Sequence, residues 1–172
     1  MSSRKGYQSQ RKTYGGGKSP QKKSEDLIKF FKDKIASKKN WSEYPVIDFA
    51  PKSGDAYKIA EAFKKESKST QNKSTQLRKF YDQALKAKLK LQGSNDKEAL
   101  NNAISIMMMI EPRAYYSFSR GYITQAVIDF ISTALDKSKF RTNTKEEFEE
   151  DYNRFLKFFE SVISYNTFLK GD

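Results

Sequence analysis

Thr144–Leu169, T-K-E-E-F-E-E-D-Y-N-R-F-L-K-F-F-E-S-V-I-S-Y-N-T-F-L, carries the strongest pattern in this 172-residue sequence. Phe148, Tyr152, Phe155, Phe159, Val162 and Asn166 follow one another at steps of four, three, four, three and four. Leu156 and Ile163 widen that stripe, giving the period of an amphipathic helix that faces a core. Its start is marked as well. Thr144 with Glu147 three residues on is a capping box, which offers side-chain acceptors to otherwise unpaired backbone donors. Glu146, Glu147, Glu149, Glu150 and Asp151 place negative charge over the first two turns, where it complements the helix dipole. One helix cannot hide this much aromatic surface. It must be the central stave of an all-α, single-domain helical bundle.

Composition narrows the function. Hydrophobic residues make up 37% of the chain and aromatic residues 14%, enough for one real core under a strongly polar surface. No apolar run reaches the ~18 residues of a membrane span, and no charged-then-apolar leader argues for export. The expectation is a cytoplasmic protein that does not engage a membrane. The chain has no cysteine and no histidine. That excludes disulfides, thiolate or imidazole metal sites, and any nucleophile–base pair built on those residues. It also removes the commonest general acid–base near neutral pH. The expectation is a non-enzyme without cofactor or metal. The acidic cluster from Glu146 to Asp151 is read as a dipole and solubility feature, not as a magnesium site.

The formal net charge is +12 and the pI about 9.6, which calls for a polyanionic partner, nucleic acid before a membrane surface. Residues 1–23 hold no acid and seven of the cations: Arg4, Lys5, Arg11, Lys12, Lys18, Lys22 and Lys23. Removing those seven from +12 leaves +5 for the rest. With Gly15 to Gly17 and little hydrophobicity, this stretch reads as a disordered basic tail, and 24–172 as the bundle domain. Two readings of the tail stand side by side. It grips phosphates while Tyr7 and Tyr14 stack on bases, or it is uninvolved.

Along the chain the spacing predicts five to six helices. Ser24 is expected to cap the first, striped by Leu27, Ile28, Phe31 and Ile35. A loop follows, broken by Pro45 and Pro51, with Trp41, Tyr44, Val46, Ile47 and Phe49 turned to the core. Asp55 begins the second helix, with Ala56, Ile59, Ala60 and Phe63 on one face, and a loose serine- and lysine-rich exit follows it. The third is expected to be capped by Ser74 and ended by Gly93, with Leu77, Tyr81, Ala84 and Leu85 inward. The fourth starts at Asp96, its stripe running through Met107 and Met108 as adaptable core filling. A fifth continues from Pro112 to about Asp136, kinked at Gly121, before a link from Lys137 to Asn143.

Three landmarks recur in order: L-R-K-F-Y-D at 77–82, I-E-P-R-A-Y-Y-S-F-S-R at 110–120 and F-L-K-F-F-E-S-V-I-S-Y at 155–165. By their order and spacing, residues 74–170, together with the general pattern of an N-terminal helix and a variable loop, resemble the small helical subunit of the type III-A CRISPR–Cas effector, the Csm complex. That family often has alanine-tyrosine-histidine near its end, where this chain has Ser164, Tyr165 and Asn166. The resemblance implies a non-catalytic, RNA-binding helical protein whose copies stack along the guide RNA–target RNA duplex. Its partners would be the backbone and large subunits, copies of itself and the duplex, with displaced single-stranded DNA as a further candidate.

A machine guided by RNA must accept any target, so its proteins should grip phosphate and sugar and leave base edges to the guide. Arginine's planar fork suits that task better than lysine. The expected RNA-binding residues are Arg78, Lys79, Arg113 and Arg120, supported by Lys86 and Arg141. Arg154 is expected to pair with Glu150 one turn back. Exposed aromatics such as Tyr115, Tyr116, Phe118 and Tyr122 fit self-association or core packing equally well. The alternative functions are a stand-alone basic helical RNA- or DNA-binding protein and a protein–protein adaptor.

Overall fold

The helix expected from Thr144 runs from Lys145 to Lys170 in a computed structural model, which describes residues 19–92 and 96–171. The Thr144 hydroxyl accepts from the backbone N–H of Glu147 at 3.2 Å. At the other end Gly171 takes a left-handed φ of 71°, a conformation open to a residue without a Cβ. Every residue of the predicted stripe is buried, Leu156 and Ile163 included.

Call this long helix α8. Before it come α1 (Pro20–Ala36), the one-turn α2 (Val46–Phe49), α3 (Asp55–Glu66), α4 (Ser74–Lys90), α5 (Asp96–Met108), α6 (Ile110–Ser119) and α7 (Gln125–Ala134). Two 3₁₀ turns, Trp41–Glu43 and Lys137–Lys139, lie in the connections. No strand occurs among the described residues, and the fold is an all-α bundle. α8 lies between α3 and α4. α1 packs on α3 and α7, while α6 bridges α4 and α7.

The core is aromatic, and its hub is Phe158, a residue outside the predicted stripe. Its ring meets Phe31 at 5.3 Å, Trp41 at 5.5 Å, Tyr44 at 5.6 Å and Phe49 at 5.1 Å between centroids. One side chain thus joins α8 to α1, to α2 and to the 3₁₀ turn after α1. Trp41 also donates from its indole N–H to the carbonyl of Ala134. Truncating a core aromatic so placed costs about 3–5 kcal/mol.

Several local expectations change. α1 starts at Pro20, and its cap is Ser19, whose hydroxyl accepts from the N–H of Lys22. Ser24 is instead buried inside the helix and donates to the carbonyl of Ala62. Most of the expected tail, residues 1–18, lies outside the described residues, as does Gly93. Ser74 is the first residue of α4 and gives no cap; its hydroxyl accepts from Thr167 of α8. In the loop after α1, Trp41, Tyr44 and Phe49 are buried, but Val46 and Ile47 face outward.

The largest change concerns the segment from Pro112 to Asp136, which is two helices and a turn. α6 ends in a Schellman motif. The N–H of Gly121 donates to the carbonyl of Phe118 at 2.8 Å, and that of Tyr122 to the carbonyl of Ser117 at 3.0 Å. Gly121 adopts a φ of 72°, which glycine reaches without steric cost. The supposed kink is a helix stop, and the count of long helices rises to seven among the described residues.

That turn is fastened from below. Asn72, in the stretch expected to be loose, is fully buried with a left-handed φ of 52°. Its side-chain amide donates to the carbonyl of Phe63 and to the Thr124 hydroxyl, and its side-chain oxygen accepts from the N–H of Thr124. Asn166 of α8 donates to the Asn72 carbonyl at 2.9 Å. This knot joins the exit of α3, the start of α7 and the end of α8, and it holds residues 120–124 in place.

Candidate nucleic-acid interface

α4 contributes a basic ridge because its core-facing residues use one side only. Leu77, Phe80, Ala84 and Ala87 are buried. Lys79, Lys86 and Lys90 are exposed. Lys79 and Lys86 are seven residues apart, which on a helix of 3.6 residues per turn is an offset of about 20°. They share the outer face. Arg78 is also exposed, but it sits about 100° round the helix from Lys79. It therefore belongs to the flank of Tyr81, whose ring meets Phe159 of α8. Burial, and then the nearby Glu160, raise the pKa of the Tyr81 hydroxyl. The residues expected to act together on α4 thus fall on two flanks.

α6 contributes a second ridge. Ile110 and Ala114 are its buried residues, and Glu111 accepts from the Ser132 hydroxyl of α7. Arg113 and Arg120, seven apart, lie about 160° and 180° round the helix from Glu111, on the side away from its hydrogen bond to Ser132 of α7. Met109 and Tyr116 fall in the same stripe, so the sequence spacing 109, 113, 116, 120 already encodes an apolar-basic face. Tyr116 is 65% exposed, and Tyr115, Phe118 and Tyr122 are exposed too, so core packing does not account for these aromatics.

None of Arg78, Lys79, Lys86, Arg113 and Arg120 forms an ion pair with a described residue. Among the described residues no carboxylate takes up their charges. Among the described residues no group of acids is arranged to hold a metal ion, and no helix is long and apolar enough to cross a membrane.

Arg141 does something else. Its Nε and Nη2 donate to the two oxygens of Asp151 at 2.9 and 3.0 Å, and Nη2 also reaches Glu150 at 2.6 Å. Asp151 is fully buried and accepts as well from the backbone N–H of Ser42 and of Arg141. The hydrogen bonds to Asp151 and then Glu150 hold the guanidinium pKa above its ordinary value. This arginine ties the base of α8 to the loops at Ser42 and Phe140, and its charge is consumed there. Asp151, expected as a dipole feature, is the centre of that tie. Arg154 does not pair with Glu150 either; it donates to the carbonyl of Tyr44 at 2.7 Å.

The family model Csm2 Type III-A matches residues 50–172, well over half of the chain. The chain belongs to the Csm2 type III-A family. Comparison with curated proteins and with solved structures finds no match. Csm2 proteins are small subunits of the type III-A CRISPR effector, so this chain is a subunit of such a complex. The Csm2 match begins earlier than the resemblance at 74–170 and takes in α3 through α8, while α1 lies before it. Asn166, at the site of the expected histidine, serves the buried knot.

Proposed function

We propose that this Csm2 chain is a non-catalytic RNA-binding subunit that works in the cytoplasm in antiviral defence. Several copies lie along the guide–target RNA duplex, beside the backbone and large subunits, and each steadies the target strand through its phosphates. The observation that supports this reading is the set of unpaired cations on the outer faces of α4 and α6. Duplex RNA hides its bases in a deep, narrow major groove and shows phosphate and sugar to a protein surface. Arg113 and Arg120 supply forked donors, and Lys79 and Lys86 supply point charges. Such contacts are indifferent to sequence, as a guided machine requires.

The test is a tagged pull-down from the native host, with both protein and RNA identified. A large particle carrying short, uniform guide RNAs is the expected result. Recovery of the chain alone, or with mixed cellular RNA, would favour a stand-alone nucleic-acid-binding bundle. The purified chain with magnesium is expected to leave RNA intact. Cleavage that follows it through successive columns and vanishes on carboxylate substitution would overturn the non-catalytic assignment.

A further inference from the structure

A second basic surface lies where α1 packs on α3, and it includes no residue of α4 or α6. Lys23, Asp26, Leu27 and Phe30 of α1 line a groove of about 460 Å³ with Lys58 and Lys65 of α3. Phe30 is a core-type residue left 40% exposed, and the Lys58 ammonium stands 4.7 Å from its ring centre. That ammonium is set in place from beneath, because buried Asp55 holds it at 2.9 Å. Lys23 and Lys65 form no ion pair with a described residue. Ahead of α1 the chain adds Arg4, Lys5, Arg11, Lys12 and Lys18 without an acid, so this basic stretch enters the fold one turn from Lys23.

We propose that this groove binds single-stranded nucleic acid, one base stacking on Phe30 and the flanking phosphates meeting Lys23 and Lys65. An accessible aromatic ring ringed by lysines is the arrangement that grips single strands without reading sequence. A ridge that only meets phosphates has no use for a half-exposed ring. α1 lies before the residues matched to the family, whereas Lys58 and Lys65 of α3 lie within them.

The test uses the full chain and labelled oligouridylate and oligothymidylate of about 12 nucleotides, with an RNA duplex as comparison. Phe30→Leu keeps an apolar side chain and removes the stacking face. It is expected to weaken binding of the single strands about tenfold, while duplex binding changes less than about twofold. Phe30→Tyr keeps the affinity. Lys23→Gln with Lys65→Gln lowers the salt slope for single strands by about 1.4, the loss of two phosphate contacts. Arg113→Ala with Arg120→Ala shows the reverse preference, so failure of the groove and failure of the duplex face are separable. Lys58 is left intact, since its loss would strip a partner from buried Asp55. Unchanged single-strand binding in Phe30→Leu overturns the proposal. So does an equal loss for duplex and single strand, which would reduce the groove to general positive charge. Equal competition by polyglutamate would reassign it to acidic protein segments.

Discussion

The base of α8 and the outer face of α6 use arginine in opposite ways. Arg141 is surrounded by Asp151, Glu150 and Ser42, and every donor it commits there serves to close two loops over the end of the bundle. Arg113 and Arg120 stand on an exposed helix face and form no ion pair with a described residue. Residue type alone does not separate these roles. A buried acid does, because an unpaired carboxylate at Asp151 would be costly to hide and the nearest cation is taken to satisfy it.

The comparison breaks most visibly at Asp151. Asp151→Ala leaves Arg141 and two backbone N–H groups without their acceptor, and is expected to cost about 3–5 kcal/mol in a denaturant titration. A loss below about 1 kcal/mol would mean the cluster is only a surface network. Alkaline pH comes next. Burial raises the pKa of Tyr152, and burial, helped by the hydrogen bond to Asp55, raises that of Tyr44. Stability from these two is complete below about pH 10, where free tyrosine titrates, and falls as pH climbs above it. By pH 11 the two together are expected to cost about 2–3 kcal/mol. Ultraviolet absorbance should show two of the ten tyrosines ionising only as the chain unfolds. All ten titrating together in the folded protein would refute the assignment.

Thr144→Ala removes the α8 cap and is expected to cost about 1 kcal/mol. Thr144→Ser should restore it. Smallest of all is the effect of Arg113→Ala with Arg120→Ala on stability, within about 0.5 kcal/mol, since exposed positions without partners carry little folding energy. A larger loss would show that these arginines are structural after all, and would erase the contrast with Arg141.

Helices with one buried stripe were legible in the sequence. α8 announced itself by an unbroken period of 3.6 and a cap, and α3 by Asp55 and the stripe through Phe63. What stayed hidden depends on tertiary partners. Ser24 has the chemistry of a cap, but its hydroxyl is spent on Ala62 of another helix. Asn72 sits in a run of lysines and serines that looks like solvent-exposed linker, and only the fold brings Thr124 and Asn166 to it. The stop after α6 had a visible sign in Gly121, but the apolar residues on both sides carry the helical period across it.

The candidate interface was legible in part. Arginines on an exposed helix and the spacing of Arg113 and Arg120 could be read directly. That Arg78 points to a different flank from Lys79 follows from helical geometry once Tyr81 is known to face α8. The capture of Arg141 could not be read, because it needs a buried Asp151. An acid in a helix's second turn gives no sequence sign of burial.

The most direct test of the central claim measures binding of the full chain to an RNA duplex over a series of salt concentrations, wild type beside Arg113→Ala/Arg120→Ala. The account predicts weaker binding and a salt slope smaller by about 2, one for each lost phosphate contact, with folding intact. Superimposable lines for the two proteins, or a wild type that does not bind the duplex at all, would contradict it.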